Sequence, residues 1–430
     1  MRRRSFLFAA AGVGVSAQSA GPGYFAISNA TIHPVSGPAV ERGTLVMKGG
    51  LIEAVGADVA VPAGAWAIDG AGLHVYPGLI DALSRWGLPA DAPAVPARAR
   101  GAATATADVQ FQDDGGPEER ASNTSWLKAA DLVKPDDAAL AAARNAGYTT
   151  AVVFPQTGIF AGQGAALNLN GRRAGEMVVL SPAGQFLTVA TRGYATFPGS
   201  LMGSFAYIRQ MFLDAAHYKA AKSVYAASPR GLSRPAYDRA LEGLLESPRV
   251  LLPASRKVEI ERMLRFGKEL GTPFVLYGGT EAWRSAELLR ASGVPLLIDL
   301  RWPERDRESD PEAEESLRTL ETREMAPAGP AALAKAGARF AFYAGGVDRP
   351  AETRRAVRKA VAAGLAKEAA LRAMTLEPAR IFGIDDRLGS LEPGKIANLF
   401  VTDQEWLEER AKVKMVFVDG RKFEPAGAGA

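Results

Sequence analysis

Side chains that do chemistry are scarce in this chain of 430 residues: it has three histidines and no cysteine. The absent thiol rules out thiolate catalysis, thiolate metal sites and a lipoprotein anchor. His33, His74 and His217 stand far apart, and no H-x-x-E-H or H-E-x-x-H spacing joins any of them to a carboxylate. His33 and His74 read as surface or packing residues of a β module. His217, in "DAAHYKAA", reads as a helix residue with the same kind of duty. No G-x-S-x-G elbow is present to expose a nucleophilic serine. Gly162-Gln163-Gly164 gives a G-x-G after a strand, but the strand-like "AALNLNG" follows it. A dinucleotide site needs a helix at that point. Gln163 is then either an amide carried to a ligand by a loop or part of a tight turn that needs glycine.

Two textures along the chain would position these groups. From Tyr24 to Tyr76 short alternating segments such as "FAISNATIHPVSG" and "GTLVMKGGLIEAVG" lie between glycines and prolines, which predicts β-strands. After Pro77 helices alternate with apolar strands. Asp136–Ala146 ends at Gly147 before "YTTAVVFP", and Arg256–Leu270 ends at Gly271 before "PFVLYGG". Glu281–Ser292 ends at Gly293 before "VPLLIDL". Repeated helix–Gly–strand units with nearly continuous apolar strands predict a parallel sheet covered by helices, and over about 300 residues a (β/α)8 barrel. The Pro/Ala-rich stretch from Pro89 to Asp108 reads as a long loop after the first strand, placed to act as a lid. Leu201 to Glu246 reads as an insertion of two or three helices, and Glu304 to Glu324 as a solvated charged segment. The tail, "GSLEPGKIANLFVTD" and "KVKMVFVDGRKFE", returns to β texture, so the two termini are expected to meet in one sheet system.

Three of these stretches carry a resemblance. "PGLIDALSRWGL" (Pro77–Leu88), "GLAKEAALRAMTLEPARIFGIDDRLGSLEPGKIANLFVTD" (Gly364–Asp403) and "VFVDGRKFE" resemble the amidohydrolase superfamily, in particular its imidazolonepropionase-like members. The resemblance implies an α/β fold, a distorted TIM (β/α)8 barrel with a composite β-sandwich domain built from the N- and C-terminal segments. It places the sandwich at 21–76 and 385–430 and the barrel at 77–384, with the helical insertion at about 201–246. It also implies hydrolysis of C–N bonds in non-peptide or cyclic amides. In such a site one or two divalent metals, usually zinc, bring a bound water towards neutral pKa and polarise the scissile carbonyl.

The family's ligands are a D-x-H-x-H pair on the first strand and further histidines on the fifth and sixth. In "DALSRW" Leu83 and Arg85 occupy the two histidine positions after Asp81. Leucine has no donor, and a guanidinium cation repels a dication. Tyr277 falls near the fifth-strand position, Asp299 in the sixth, and Ala344 near the catalytic aspartate of the last strand. Asp81 with Asp299 would make a carboxylate-only pair, which holds zinc poorly. No cofactor is therefore expected, although the family implies zinc. The cleft candidates are Asp81, Arg85, Gln163, Tyr277, Glu281 and Asp299.

The formal charge is +4, from 51 basic and 47 acidic residues. Removing Arg2, Arg3 and Arg4 leaves 48 against 47, or +1. Such a balance gives no reason to expect a nucleic-acid or anionic-membrane partner. Those arginines open "MRRRSFLFAAAGVGVSA", laid out as a signal peptide over residues 1–17, with a run too short to span a bilayer. "RRSFLF" resembles the twin-arginine signal, the other reading being an Arg-rich general secretory signal. A periplasmic or secreted location follows, with no integral membrane segment. Three functions remain open. One is a ligand-binding homologue or inactive subunit, taking a small amide or cyclic amide alone, as a homo-oligomer or beside an active homologue. The second is a C–N hydrolase with a metal-independent site, and the third a structural or interaction protein of the cell envelope.

Overall fold

A computed structural model of the chain describes residues 23–89, 120, 122–189, 198–305, 310, 312, 314–345 and 350–425. The signal-like segment and most of the Pro/Ala-rich loop after the first barrel strand lie outside them.

Five N-terminal strands come first: β1 (Tyr24–Ile32), β2 (Val40–Lys48), β3 (Leu51–Gly56), β4 (Trp66–Asp69) and β5 (His74–Pro77). The chain then crosses into an α/β body. Its strands are β6 (Leu79–Ser84), β7 (Tyr148–Val153), β8 (Phe160–Gln163), β9 (Ala165–Asn168), β10 (Val178–Leu180), β11 (Gln185–Leu187), β12 (Val250–Ala254), β13 (Phe274–Gly278), β14 (Leu296–Asp299) and β15 (Phe340–Tyr343). It returns through β16 (Leu399–Thr402), β17 (Val413–Val418) and β18 (Arg421–Phe423).

The terminal strands form one sheet in the order β18-β17-β16-β5-β1-β2-β3, with β4 also paired to β1. The antiparallel β16–β5 ladder, from Leu399 opposite Pro77 to Thr402 opposite His74, joins the two ends of the chain. Asp419 ties this sheet to the α/β body. Its carboxylate accepts from the amides of Asn168 (2.5 Å) and Asn170 (2.7 Å), while Asn398 Oδ1 accepts from Asp419 N (2.8 Å).

The body holds two sheets, β10-β9-β7-β6 and β15-β14-β13-β12-β11-β8. Within them β6 and β7 are parallel, and β11 to β15 run parallel throughout. Only Gly164 separates β8 from β9, so the chain itself links the sheets at one seam. At the other seam no strand ladder is formed among the described residues, and Asp81 Oδ1 instead accepts from Ala344 N at 2.9 Å. This arrangement is consistent with a distorted (β/α)8 barrel whose hydrogen-bonded closure is incomplete.

Local sequence explains the strands that matter here. All six residues of β6 are buried, as expected of a strand covered on both faces. Gly78, just before it, has no room for a side chain: a Cβ there would lie 1.9 Å from Thr149 Oγ1 of the neighbouring strand. The helices Lys257–Glu269 and Ala286–Ser292 pack ahead of β13 and β14, each followed by a glycine. The insertion consists of two helices, Leu201–Ala227 and Arg239–Glu246. In the charged segment, the helix Leu317–Met325 buries none of its residues. No helix among the described residues is long and apolar enough to cross a membrane.

Candidate functional site

The C-terminal ends of β6, β11, β13, β14 and β15 surround a cleft of about 840 Å³. That is the end of a parallel α/β sheet where ligands bind. Its inner wall comes from Asp81, Leu83, Phe186, Tyr277 and Tyr343, and its rim carries Arg85, Lys134, Asp136 and Arg301.

Asp81 is buried on β6. One of its oxygens is held by Ala344 N, while Oδ2 is buried with no hydrogen-bond partner, and the residue is part of the cleft lining. Burial raises its pKa to about 7, opposed by the Ala344 N–H, the Ser84 hydroxyl and the Leu83 N–H, with a small further push upward from Asp299. Leu83, two residues on, adds only aliphatic surface. Arg85 follows at the exposed end of the strand, with Nη2 donating to Pro89 O at 3.3 Å. The turn after it is fixed from below. Asp137 caps the helix Ala138–Asn145 through Ala139 N and also accepts from Gly87 N at 3.0 Å. Trp86 packs edge-on against Tyr148, with ring centroids 5.0 Å apart.

The opposite wall is aromatic. Tyr277 stacks on Phe186 at 4.9 Å and donates its hydroxyl to Leu187 O at 2.9 Å. Burial pushes that phenol well above its ordinary pKa, so Tyr277 offers a ring face rather than an acid. Asp299, on β14, stands behind the lining and not in it. It accepts from Arg301 Nε at 3.1 Å and Nη2 at 2.6 Å, and from Arg301 N at 2.8 Å. Tyr343 Oη approaches the same carboxylate at 3.4 Å. Gly345 closes the pair from the side; with φ of 63° and a would-be Cβ 2.0 Å from Asp299 Oδ1, no other residue fits there.

Of the six candidates read from the sequence, the cleft gathers Asp81, Arg85 and Tyr277, and Asp299 reaches it only through Arg301. Gln163 and Glu281 lie outside its lining. Gln163 is fully buried, and its amide donates to Ser125 O (3.2 Å) and Gly243 O (3.0 Å), fastening a loop to the helix Arg239–Glu246. Glu281 is also buried, receiving Lys257 N (2.9 Å) and Arg318 Nη2 (2.9 Å). Its burial pulls the pKa up, but those two donors outweigh it and hold the carboxyl below its usual range. Both residues are held by contacts 24 to 80 positions away in sequence, which no local pattern reveals. Arg301, Phe186, Trp86 and Tyr343 line the cleft without having been singled out. For Arg301 a signal existed, since it lies two residues beyond Asp299 just past a strand end. Aromatic residues on apolar strands give none, because they read as core.

The histidines stay away from this cleft. His33 Nε2 and His74 Nδ1 are 3.2 Å apart beside Tyr76 in the terminal sheet, where burial lowers the pKa of His33. His217 is exposed on the helix Leu201–Ala227. No three side chains of His, Cys, Asp or Glu among the described residues come together as a metal-ligand set. Among the described residues the mouth has no histidine, and its carboxyls are the buried Asp81, Asp299 committed to a guanidinium, and Asp136 and Asp137 on the rim, no three of which come together. This donor set does not fit zinc.

The comparisons agree with the resemblance read from the sequence. A sequence model described as the Amidohydrolase family matches residues 253–423. No curated protein matches the chain. Among solved structures, an amidohydrolase from Thermotoga maritima MSB8 superposes with a TM-score of 0.76 at 23% identity, covering 93% of this chain and 100% of that one. A Xaa-Pro dipeptidase solved with bound methionine gives 0.53 at 15% identity, covering 93% and 100%. Molinate hydrolase gives 0.53 at 15% identity, covering 94% and 95%. At these identities the likeness is one of fold.

Proposed function

We propose, for a chain that has the amidohydrolase fold and matches that family over residues 253–423, that it binds a small amide or cyclic amide and has given up metal-dependent hydrolysis. The observation that carries this is the end of β6, where the cleft is lined by Leu83 and Arg85 at the two positions the family resemblance gives to histidine. An aliphatic side chain and a fixed cation there oppose a dication by chemistry and by charge. A pocket of this size lined by aromatic rings with a few polar groups suits a small molecule. Turnover tests the reading directly. Hydantoin, dihydrouracil and simple dipeptides, offered with added zinc and with a chelator, should show no zinc-dependent hydrolysis. Zinc-stimulated release of product, abolished by the chelator, would overturn it.

A second reading, metal-independent C–N hydrolysis, draws on the unpartnered Oδ2 of Asp81, a group able to lend or take a proton near neutrality. It requires turnover that survives chelation and collapses in Asp81→Asn.

Export belongs with either reading. The basic, then apolar, start of the chain supports passage out of the cytoplasm, with "RRSFLF" supplying a twin-arginine-like signal. The double variant Arg3→Lys, Arg4→Lys should leave the protein in the cytoplasmic fraction as an unprocessed precursor. Normal processing and release of that variant would exclude the twin-arginine route.

A further inference from the structure

We propose that this protein pairs with a second copy of itself, helix against antiparallel helix, through the exposed face of the long insertion helix Leu201–Ala227. No residue of that helix lines the cleft, so the pairing is independent of what the cleft binds.

The helix is apolar on two opposite faces. One of them is packed: Ser204, Ile208, Met211, Ala215 and Tyr218 are buried. Its flanks are fastened to the body. Tyr207 meets Phe160 of β8 edge-on, with ring centroids 5.8 Å apart, Tyr218 donates to Glu242 at 2.8 Å, and Arg209 pairs with Glu269. The other face looks outward. Met202, Ala206, Leu213, Ala220 and Val224 are all exposed, Met202 by 84% and Leu213 by 59%. Their spacing puts all five within an arc of about 40° on a helix of 3.6 residues per turn. Single exposed apolar residues are ordinary on a protein surface. A stripe of them running nearly the length of a helix, opposite the face that already packs, marks an interaction surface.

The same stripe identifies its partner. Its spacing of 4, 7, 7 and 4 positions reads identically in both directions about Leu213. A two-fold axis through that residue sets Met202 against the second copy's Val224, Ala206 against its Ala220, and Leu213 against its own counterpart. Contacts across a two-fold axis have this form, with residue i meeting j and j meeting i. Nothing in packing against a partner of different sequence requires such symmetry. The small side chains at positions 206 and 220 let the two backbones approach, while Leu213 fills the middle. Charge does not oppose the pairing. The stripe holds no ionisable residue, and Arg209 on its border has Glu269 beside it. Arg209 and His217 exchange places across the axis.

A helix of 27 residues is about 40 Å long and, with side chains, about 10–12 Å across. Two copies laid along that length cover roughly 1,000 Å² in total, the lower limit of a specific interface, so the dimer is a reversible one.

Sedimentation of the full chain over a concentration series tests this. The protein should pass from one copy to two between about 1 and 100 µM. Leu213→Glu sets two like charges on the axis and should weaken self-association about tenfold or more, while its exposed position leaves the core alone. The chain has no cysteine, so oxidation with copper phenanthroline can read the register. The double variant Met202→Cys, Val224→Cys should run as a dimer on a non-reducing gel, and neither single variant should. Within one copy these positions lie about 33 Å apart, too far for a bridge. A monomer at every concentration would overturn the proposal, as would a dimer indifferent to Leu213→Glu. A cross-link in Met202→Cys alone, or none in the double variant, would overturn the antiparallel pairing. A monomer that floats with phosphatidylethanolamine–phosphatidylglycerol vesicles, and no longer does so as Leu213→Glu, would give the stripe to a membrane surface instead.

Discussion

Asp81→Asn should make this protein more stable, and only above acidic pH. In the folded chain the Asp81 carboxyl is buried, and its pKa rises from 3.8 to about 7. A raised carboxyl pKa means that the native state binds the proton more tightly than the unfolded chain. The associated stability is present below about pH 4 and is lost as the pH climbs through the folded pKa. The full loss corresponds to ~4 kcal/mol, as an order of magnitude, and it is complete once both states are ionised. Asparagine keeps an oxygen for Ala344 N and places an uncharged group where Oδ2 now lacks a partner. The variant and the parent should therefore unfold at similar urea concentrations near pH 4. Their difference should widen to a few kcal/mol by pH 7 to 8 and then level off. A difference that is the same at every pH would show that Asp81 does not titrate in this way.

Gly78→Ala should be among the most damaging single-methyl additions in the chain. The new Cβ would fall 1.9 Å from Thr149 Oγ1 and 2.3 Å from its Cγ2, where β6 enters the body beside β7. Thr149 is fully buried, so neither side can move aside cheaply. Overpacking of this kind costs about 3 kcal/mol. Pairing the change with Thr149→Ala removes the clashing atoms, and the double variant should recover much of the loss. Urea unfolding of the two single variants and the double variant checks this. No recovery would mean that the glycine is needed for its backbone rather than for the space.

These two residues also show what the sequence made legible. "PGLID" announces the first strand because its glycine, its aspartate and its apolar run each answer a local demand: close approach, a seam hydrogen bond and burial on both faces. The alternation of helix, glycine and strand from residue 138 onward has the same local origin, as does the β texture of both ends. The places of Leu83 and Arg85, which the family resemblance sets in histidine positions, were readable for that reason, since a recognisable strand fixes the order of its side chains. The rest of the cleft was not. Gln163 and Glu281 look like functional polar residues between turn signals, yet each spends its hydrogen bonds on distant backbone or an arginine. Asp299 looked like a ligand or an acid, and its pairing with Arg301 turned it into a support. Phe186 and Tyr343 read as core because a strand-end aromatic has the same sequence signature whether it faces the interior or a pocket.

Zinc content is the measurement that bears most directly on the central claim, that the mouth of this fold no longer holds a catalytic metal. The full chain, purified, incubated with excess zinc and desalted, is analysed by elemental mass spectrometry alongside Asp81→Asn. The parent should retain well under one zinc per chain, with the variant no different. Near one zinc per chain in the parent, falling in Asp81→Asn, would place a metal at the end of the first strand and contradict the claim.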